Sequence, residues 1–177
     1  MAQVRGRGAQ ALLRPRPGAA PSRGPGHIKL YIVRHADAGD RAKWTRPDEL
    51  RPLSDKGWRQ ARALADVLPA VERLLSSRYL RCRQTLEPLA QRLGLTIENE
   101  ERLVEGTPLS EVLHLFSEMT ADAAMCTQGD IVEALVDHLL SQGLVQPERA
   151  GSSKASTWSL DVEAGQIASA TYIPPPV

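Results

Sequence analysis

The run Ile28-Lys29-Leu30-Tyr31-Ile32-Val33 constrains this chain more than any other stretch. It is short and rich in β-branched and aromatic residues, and it reads as a buried strand. It stops abruptly at Arg34-His35, followed by the small and turn-forming residues Ala36-Asp37-Ala38. A strand ending in Arg-His sets both side chains at its carboxyl end, where open α/β sheets hold their ligands. Arginine offers a planar fork of donors suited to a phosphoryl group, and a neutral imidazole beside it can act as a nucleophile. Taken alone, the stretch reads either as a phosphatase site that forms a phosphohistidine or as a chance Arg-His at a strand end.

The pattern downstream of this strand is that of an α/β chain. A polar loop over 39–52 leads to Ser54, a helix N-cap, and a helix whose apolar face is Ala61, Leu64, Val67 and Leu68, ending before Pro69. A second strand is expected over 71–76, then a helix over 78–93 closed by Gly94, with Pro88 predicting a kink or break. A short strand over 95–97, an acidic loop over 98–108 and a helix over 110–119 follow. The third core strand is 123–127, and Gly129 opens a helix reaching Leu140 with Ile131, Leu135, Val136 and Leu139 as its buried stripe. Two strands, 154–162 and 167–173, are joined by a turn at Ala164-Gly165. Strands alternating with helices predict an α/β sandwich with an antiparallel pair near its end.

With 177 residues the chain is most naturally one domain with a sizeable core. The net charge of +1 favours no particular partner, but it hides an asymmetry. Five arginines (Arg5, Arg7, Arg14, Arg16 and Arg23) precede His27 with no acidic residue among them. Residues 1–27 are largely Arg, Gly, Ala and Pro, a composition that cannot offset its ordering entropy and is expected to be disordered. Such a tail reads as a flexible anion-attracting arm, a linker remnant or the product of a misplaced start codon. No aromatics interleave its arginines to stack on bases, which argues against nucleic acid as the partner. Cys82 and Cys126 show no metal-ligand spacing, which predicts free thiols in a reducing compartment. No apolar run is long enough to span a membrane, so the expected location is cytoplasmic.

Three motifs in order carry a resemblance. They are Arg34-His35, then Leu53-Ser54-Asp55-Lys56-Gly57-Trp58-Arg59-Gln60-Ala61, then Ser76-Ser77-Arg78-Tyr79-Leu80-Arg81-Cys82-Arg83-Gln84-Thr85. Together they resemble the histidine phosphatase superfamily, over 28–173. The Arg34-His35-Ala36-Asp37-Ala38 wording is similar to the small SixA-type phosphohistidine phosphatases. Glu87-Pro88-Leu89-Ala90, Cys126-Thr127-Gln128-Gly129 and Lys154-Ala155-Ser156-Thr157-Trp158 look closer to the C-terminal domain of bacterial MutT-like fusion proteins, in which a Nudix hydrolase comes first. The fold implied for 28–177 is a three-layer α/β/α sandwich with a mostly parallel central sheet and an antiparallel edge strand.

The resemblance also implies roles. His35 would attack phosphorus and be transiently phosphorylated, while Arg34 and Arg81 would hold the non-bridging oxygens. Glu105, with Glu100 and Glu101 as rivals, would protonate the leaving group and then activate water. A second pocket histidine is expected where this chain has Gln128, which can donate a hydrogen bond to a phosphoryl oxygen but never carry charge. Arg41, with Lys43 and Arg46 as weaker candidates, could replace the missing charge or be an ordinary loop arginine. His114, His138, Cys82, Trp58 and Trp158 read as packing or surface residues, and Trp44 as packing or as part of a closing loop.

The implied function is a metal-independent phosphatase, without cofactor, acting on a phosphomonoester or a protein phosphohistidine. Its partners would be a phosphorylated small molecule, a nucleotide or a phosphohistidine protein, with a Nudix hydrolase as a further partner and no membrane. The alternative, which Gln128 keeps open, is a catalytically impaired module that binds a phospho-ligand or a partner protein.

Overall fold

The computed structural model describes residues 24 and 26–176, so the expectation for the Arg-rich tail lies almost wholly outside the described residues. The expected order of elements is present. β1 (His27–Arg34) is followed by α1 (Asp55–Val67), β2 (Arg73–Ser76), α2 (Leu80–Leu93), β3 (Ile97–Asn99) and α3 (Leu109–Glu118). Then come β4 (Ala123–Thr127), α4 (Gly129–Ser141), β5 (Thr157–Glu163) and β6 (Gln166–Ile173). The six strands form one sheet in the order β3-β2-β4-β1-β5-β6. β1, β2, β3 and β4 run parallel, while β5 runs antiparallel to both β1 and β6. The antiparallel strand is thus one in from the edge, and β6 forms the edge itself.

The period-two alternation of the strands divides the core into two. Ile28, Leu30 and Ile32 of β1 point to one face with Ala123, Met125, Trp158 and Leu160, and α3 and α4 cover them through Phe116, Leu115, Leu135 and Leu139. Tyr31 and Val33 point to the other face with Leu74, Ala124 and Cys126, under Leu64 of α1 and Leu86 and Leu89 of α2. This is a three-layer α/β/α sandwich. Its inner strands are apolar on both sides, as β4 shows with every residue buried.

Several boundaries differ from the expectation for physical reasons. His27 opens β1 instead of ending a tail, because its ring nitrogens bond Asp161 at 3.0 Å and Glu163 at 3.1 Å across the sheet. Val67 is 56% exposed. It lies about a third of a turn off the stripe formed by Ala61, Leu64, Ala65 and Leu68, so helical phase excludes it. α2 begins at Leu80, after Tyr79 in extended conformation, and runs unbroken through Pro88. The short strand before α3 is 97–99, because its pairing with β2 starts at Ile97. β5 begins at Thr157, since the chain at Ala155 adopts a left-handed conformation that no strand accommodates. The hairpin turn lies where expected, with φ of 49° at Ala164 and 76° at Gly165.

The motifs after β1 act by bracing its carboxyl end. The Ala36 N–H donates to Thr85 Oγ1 at 3.0 Å, and the Asp37 N–H to Gln60 Oε1 at 2.9 Å. The Leu53 N–H donates to Gln84 Oε1 at 2.8 Å. Ser54 caps α1 through its hydroxyl, which accepts from the Gly57 N–H at 3.1 Å. Gly57 sits against the loop so closely that a Cβ there would meet the Asp37 carbonyl oxygen at 2.0 Å. Gly57→Ala must therefore drive α1 off the loop. We expect a loss of about 3 kcal/mol in urea unfolding, in the range of overpacked cores.

Candidate active site

The carboxyl ends of β1 and β4 and the amino ends of α2 and α4 meet around an open cleft of about 400 Å³. Arg34, His35, Arg81, Gln128, Glu105, Arg41 and Lys154 are among its lining residues. His35 is 6% exposed. Its Nδ1 lies 2.7 Å from the Ala36 carbonyl oxygen, which can only accept, so Nδ1 carries the proton. Nε2 is left with a lone pair, which accepts from Arg81 Nε–H at 3.3 Å. Burial and, behind it, the charges of Arg81, Arg34 and Lys154 outweigh the Ala36 hydrogen bond and bring the His35 pKa from 6.5 to about 4. The imidazole is neutral at physiological pH.

Arg81, in the first turn of α2, is 2% exposed. Its Nη1 donates to the Asp48 carbonyl at 2.8 Å, and its Nη2 to Asp48 Oδ2 at 2.9 Å and Gln128 Oε1 at 3.1 Å. Its guanidinium also stacks 4.6 Å from the Tyr79 ring centre. Asp48 Oδ1 accepts from Arg51 Nε at 2.9 Å, and Arg51 Nη1 reaches the Ala38 carbonyl at 2.8 Å. Hydrogen bonds from Arg51 and Arg81, together with their charges, overcome the burial of Asp48 and hold its carboxyl below the usual range.

Arg34 donates from Nη1 to the Ser152 carbonyl, and its Nη1 lies 3.6 Å from Glu133. It lies against Gly129, where a Cβ would meet Arg34 Nη2 at 2.5 Å, so a larger residue at the start of α4 would displace the Arg34 guanidinium. α4 has no side-chain cap at its amino end, which faces the cleft and favours an anion there. Among the described residues no group of three or more His, Cys, Asp or Glu could hold a metal ion.

Residues 30–107 match the histidine phosphatase superfamily, branch 1. The match runs from β1 to the loop before α3, and over that part the chain is similar to this superfamily. It is 35% identical over 155 residues to the 8-oxo-(d)GTP phosphatase of Mycolicibacterium smegmatis, covering 83% of this chain and 48% of that one. It is 37% identical over 90 residues to the phosphohistidine phosphatase SixA of Escherichia coli, covering 48% and 53%. The chain spans about half the length of these curated relatives. In fold it is similar to the protein histidine phosphatase SixA solved with tungstate (TM-score 0.60, 22% identity, 84% of this chain and 97% of that one). It also resembles a mycobacterial glucosyl-3-phosphoglycerate phosphatase (TM-score 0.61, 17% identity, 85% and 99%).

Within this cleft, the expected residues are distributed unevenly. Of the three candidate acids in the 98–108 loop, Glu105 lines the cleft, whereas Glu100 pairs with Arg102 and Glu101 with Arg78. The Glu105 loop is tied to the sheet and to α4, since Thr127 Oγ1–H donates to the Leu103 carbonyl at 2.7 Å and the Gly106 N–H to Asp130 Oδ2 at 2.7 Å. Arg41 sits at the rim, 63% exposed in its side chain and 3.3 Å from Glu105. Lys43 and Arg46 are exposed and outside the cleft lining. Gln128 turns its Oε1 to Arg81, and its Nε2 faces Cys82 Sγ at 3.4 Å and Ser77 Oγ at 3.5 Å. It therefore accepts from an arginine where a donor toward the phosphoryl group was expected. Cys82, Trp58 and Trp158 pack, and His114 is exposed beside Glu118. Trp44 bonds the Pro47 carbonyl in its own loop.

The sequence does not mark Asp48, Arg51 or Lys154 as site residues. Asp48 and Arg51 lie three apart, and that spacing was the available signal for an ion pair in the loop. Lys154 stands in a motif of the resemblance, but only the fold carries it into the cleft with His35.

Two predictions follow from the charges. Asp48→Ala leaves two arginines buried without a carboxylate and is expected to cost about 3–5 kcal/mol in urea unfolding. For His35, the unfolded chain binds a proton below pH 6.5 that the folded chain takes up only near pH 4. Stability is lost as pH falls through that window, by about 3 kcal/mol. His35→Asn lacks this contribution, so the difference between its stability and that of the parent should narrow or reverse from pH 6.5 to 4.

Proposed function

We propose that this chain is a metal-independent phosphatase that hydrolyses a phosphomonoester or a phosphohistidine through a phosphohistidine on His35. The observation that carries the reading is the fixed tautomer of His35, with Nδ1–H spent on the Ala36 carbonyl and the Nε2 lone pair held at the cleft beside Arg81. In the first step Nε2 forms a bond to phosphorus while the bond to the leaving group breaks in line with it. Arg81 turns N–H groups from imidazole to phosphoryl oxygens, Arg34 binds from the other side, and the amino end of α4 faces the developing charge. Gln128 serves by accepting from Arg81 and keeping its fork in plane. Glu105 gives its proton to the leaving atom, then takes one from the water that attacks the phosphohistidine and releases phosphate. Arg41, at 3.3 Å from Glu105, holds that carboxylate at the rim and meets the outer part of the substrate.

The substrate is a phosphorylated small molecule, a nucleotide or a phosphohistidine protein. The names of the M. smegmatis and E. coli relatives support the last two. A Nudix hydrolase is the proposed protein partner, supported by a nucleotide-phosphatase relative about twice the aligned length. No helix among the described residues is long and apolar enough to cross a membrane. Two free, buried cysteines fit a reducing compartment such as the cytoplasm.

The test is hydrolysis of an aryl phosphate by protein treated with EDTA. We expect turnover with an acid-labile phosphoenzyme, lost by at least about a thousandfold in His35→Ala, as for removal of a covalent nucleophile. Turnover that survives in His35→Ala, or that requires an added divalent cation, would overturn the reading.

A further inference from the structure

The cleft contains one cation to which the resemblance gives no role, Lys154. The segment 152–155 wraps the end of β1: the Ser152 carbonyl accepts from Arg34 Nη1–H, and the Ala155 N–H is shared between the carbonyls of Arg34 at 3.1 Å and His35 at 3.2 Å. Ala155 is fully buried with φ of 63°, a left-handed conformation costing about 1–2 kcal/mol for a residue with a Cβ. That cost is tolerated where surrounding bonds over-determine the geometry, and such positions cluster at functional sites. The result is that Lys154 enters the cleft lining alongside Arg34, His35 and Gln128. Its Nζ lies 3.1 Å from Asp37 Oδ1, and Asp37 is itself held by Ser54 Oγ–H at 2.6 Å and the Gly39 N–H at 3.2 Å. Lys154 is still 38% exposed. A flexible ammonium parked on a fixed carboxylate at the mouth of an anion site can swing to an incoming oxyanion without exposing a buried partner.

We propose that Lys154 is a phosphoryl-binding residue, supplying in this chain the positive charge that Gln128 does not. Within the phosphatase reading it contacts the non-bridging oxygens, with Asp37 as its resting counter-ion. Arg41 does not serve this role, being at the rim and engaged by Glu105.

The test is affinity for inorganic phosphate by calorimetry, alongside aryl phosphate hydrolysis, with thermal unfolding as the control for folding. Lys154→Ala should weaken phosphate binding tenfold or more, and Lys154→Arg should keep it within about threefold, the size expected for a charged hydrogen-bond partner. Asp37→Asn separates binding from scaffolding. If Lys154 only holds Asp37 in place, both Lys154→Ala and Asp37→Asn weaken binding. If Lys154 binds phosphate, freeing it in Asp37→Asn leaves binding unchanged or tighter. Gln128→His should restore a larger factor in the Lys154→Ala background than it adds to the parent. In Lys154→Ala the acid limb of the pH profile should also move up, since one of the three cations facing His35 (Arg34, Arg81 and Lys154) is gone. Unchanged phosphate affinity in Lys154→Ala, equal factors from Gln128→His in both backgrounds, or no phosphate binding by the parent would overturn the proposal. Phosphate binding that depends on Lys154 without any turnover would instead overturn the phosphatase reading and leave this one standing.

Discussion

Arg81 sits almost wholly out of water beside the imidazole it serves, and that placement depends on Asp48. A guanidinium buried alone would cost several kcal/mol or force the surrounding structure to open. Asp48 meets it with a carboxylate oxygen and with its own carbonyl, so that two of the guanidinium nitrogens are fixed in one plane. The remaining nitrogen, Nε, is then directed at His35 Nε2. The carboxylate is in turn anchored by Arg51, whose other end holds the carbonyl of Ala38, four residues after Arg34 in the same strand-end loop. The chain of contacts closes on itself: the loop that follows His35 holds the acid that holds the arginine that faces His35. Moving any member shifts the geometry at His35.

The same loop is secured from its other side by neutral groups. Thr85, Gln60 and Gln84 each spend a side-chain oxygen on a backbone N–H of the segments flanking the cleft. Leaving such a buried N–H unpaired costs roughly 1–3 kcal/mol. These residues belong to motifs that carry the family resemblance, yet they touch none of the groups proposed to react. Their contribution is to hold in place the loop that carries His35 and faces Arg81.

This division explains what the amino-acid sequence makes legible. β1 and β4 are apolar runs because both of their faces are covered, and runs of that kind are readable without a partner. α1 announces itself through the Ser54 cap, and the hairpin through Ala164-Gly165. His35, Arg34 and Arg81 stand at the ends of those readable elements. Periodicity fails where phase and not polarity decides, as at Val67, which is apolar but turned off the buried stripe. It fails again in loops, where Asp48 and Arg51 are two among many charges until the fold buries them. Lys154 is more distant still, since its place beside His35 arises from a backbone conformation at Ala155 that alanine seldom adopts and that no pattern encodes.

Gln128 shows how local charge limits what a site can hold. Its side-chain oxygen is 3.1 Å from Arg81 Nη2, inside the same dry corner as Cys82 and Ser77. A protonated histidine in that corner would face a guanidinium donor with another donor, and in a low dielectric such a pair is repulsive. Keeping a charged histidine there requires an anion between the two cations. The amide avoids the conflict: it accepts from Arg81 whether or not a phosphoryl group is bound, and so it keeps the guanidinium oriented at the expense of charge. A cation that is to help neutralise the phosphoryl group must then come from where it can be solvated and paired while waiting. In this cleft the mouth beside Asp37 is such a place, and Lys154 occupies it.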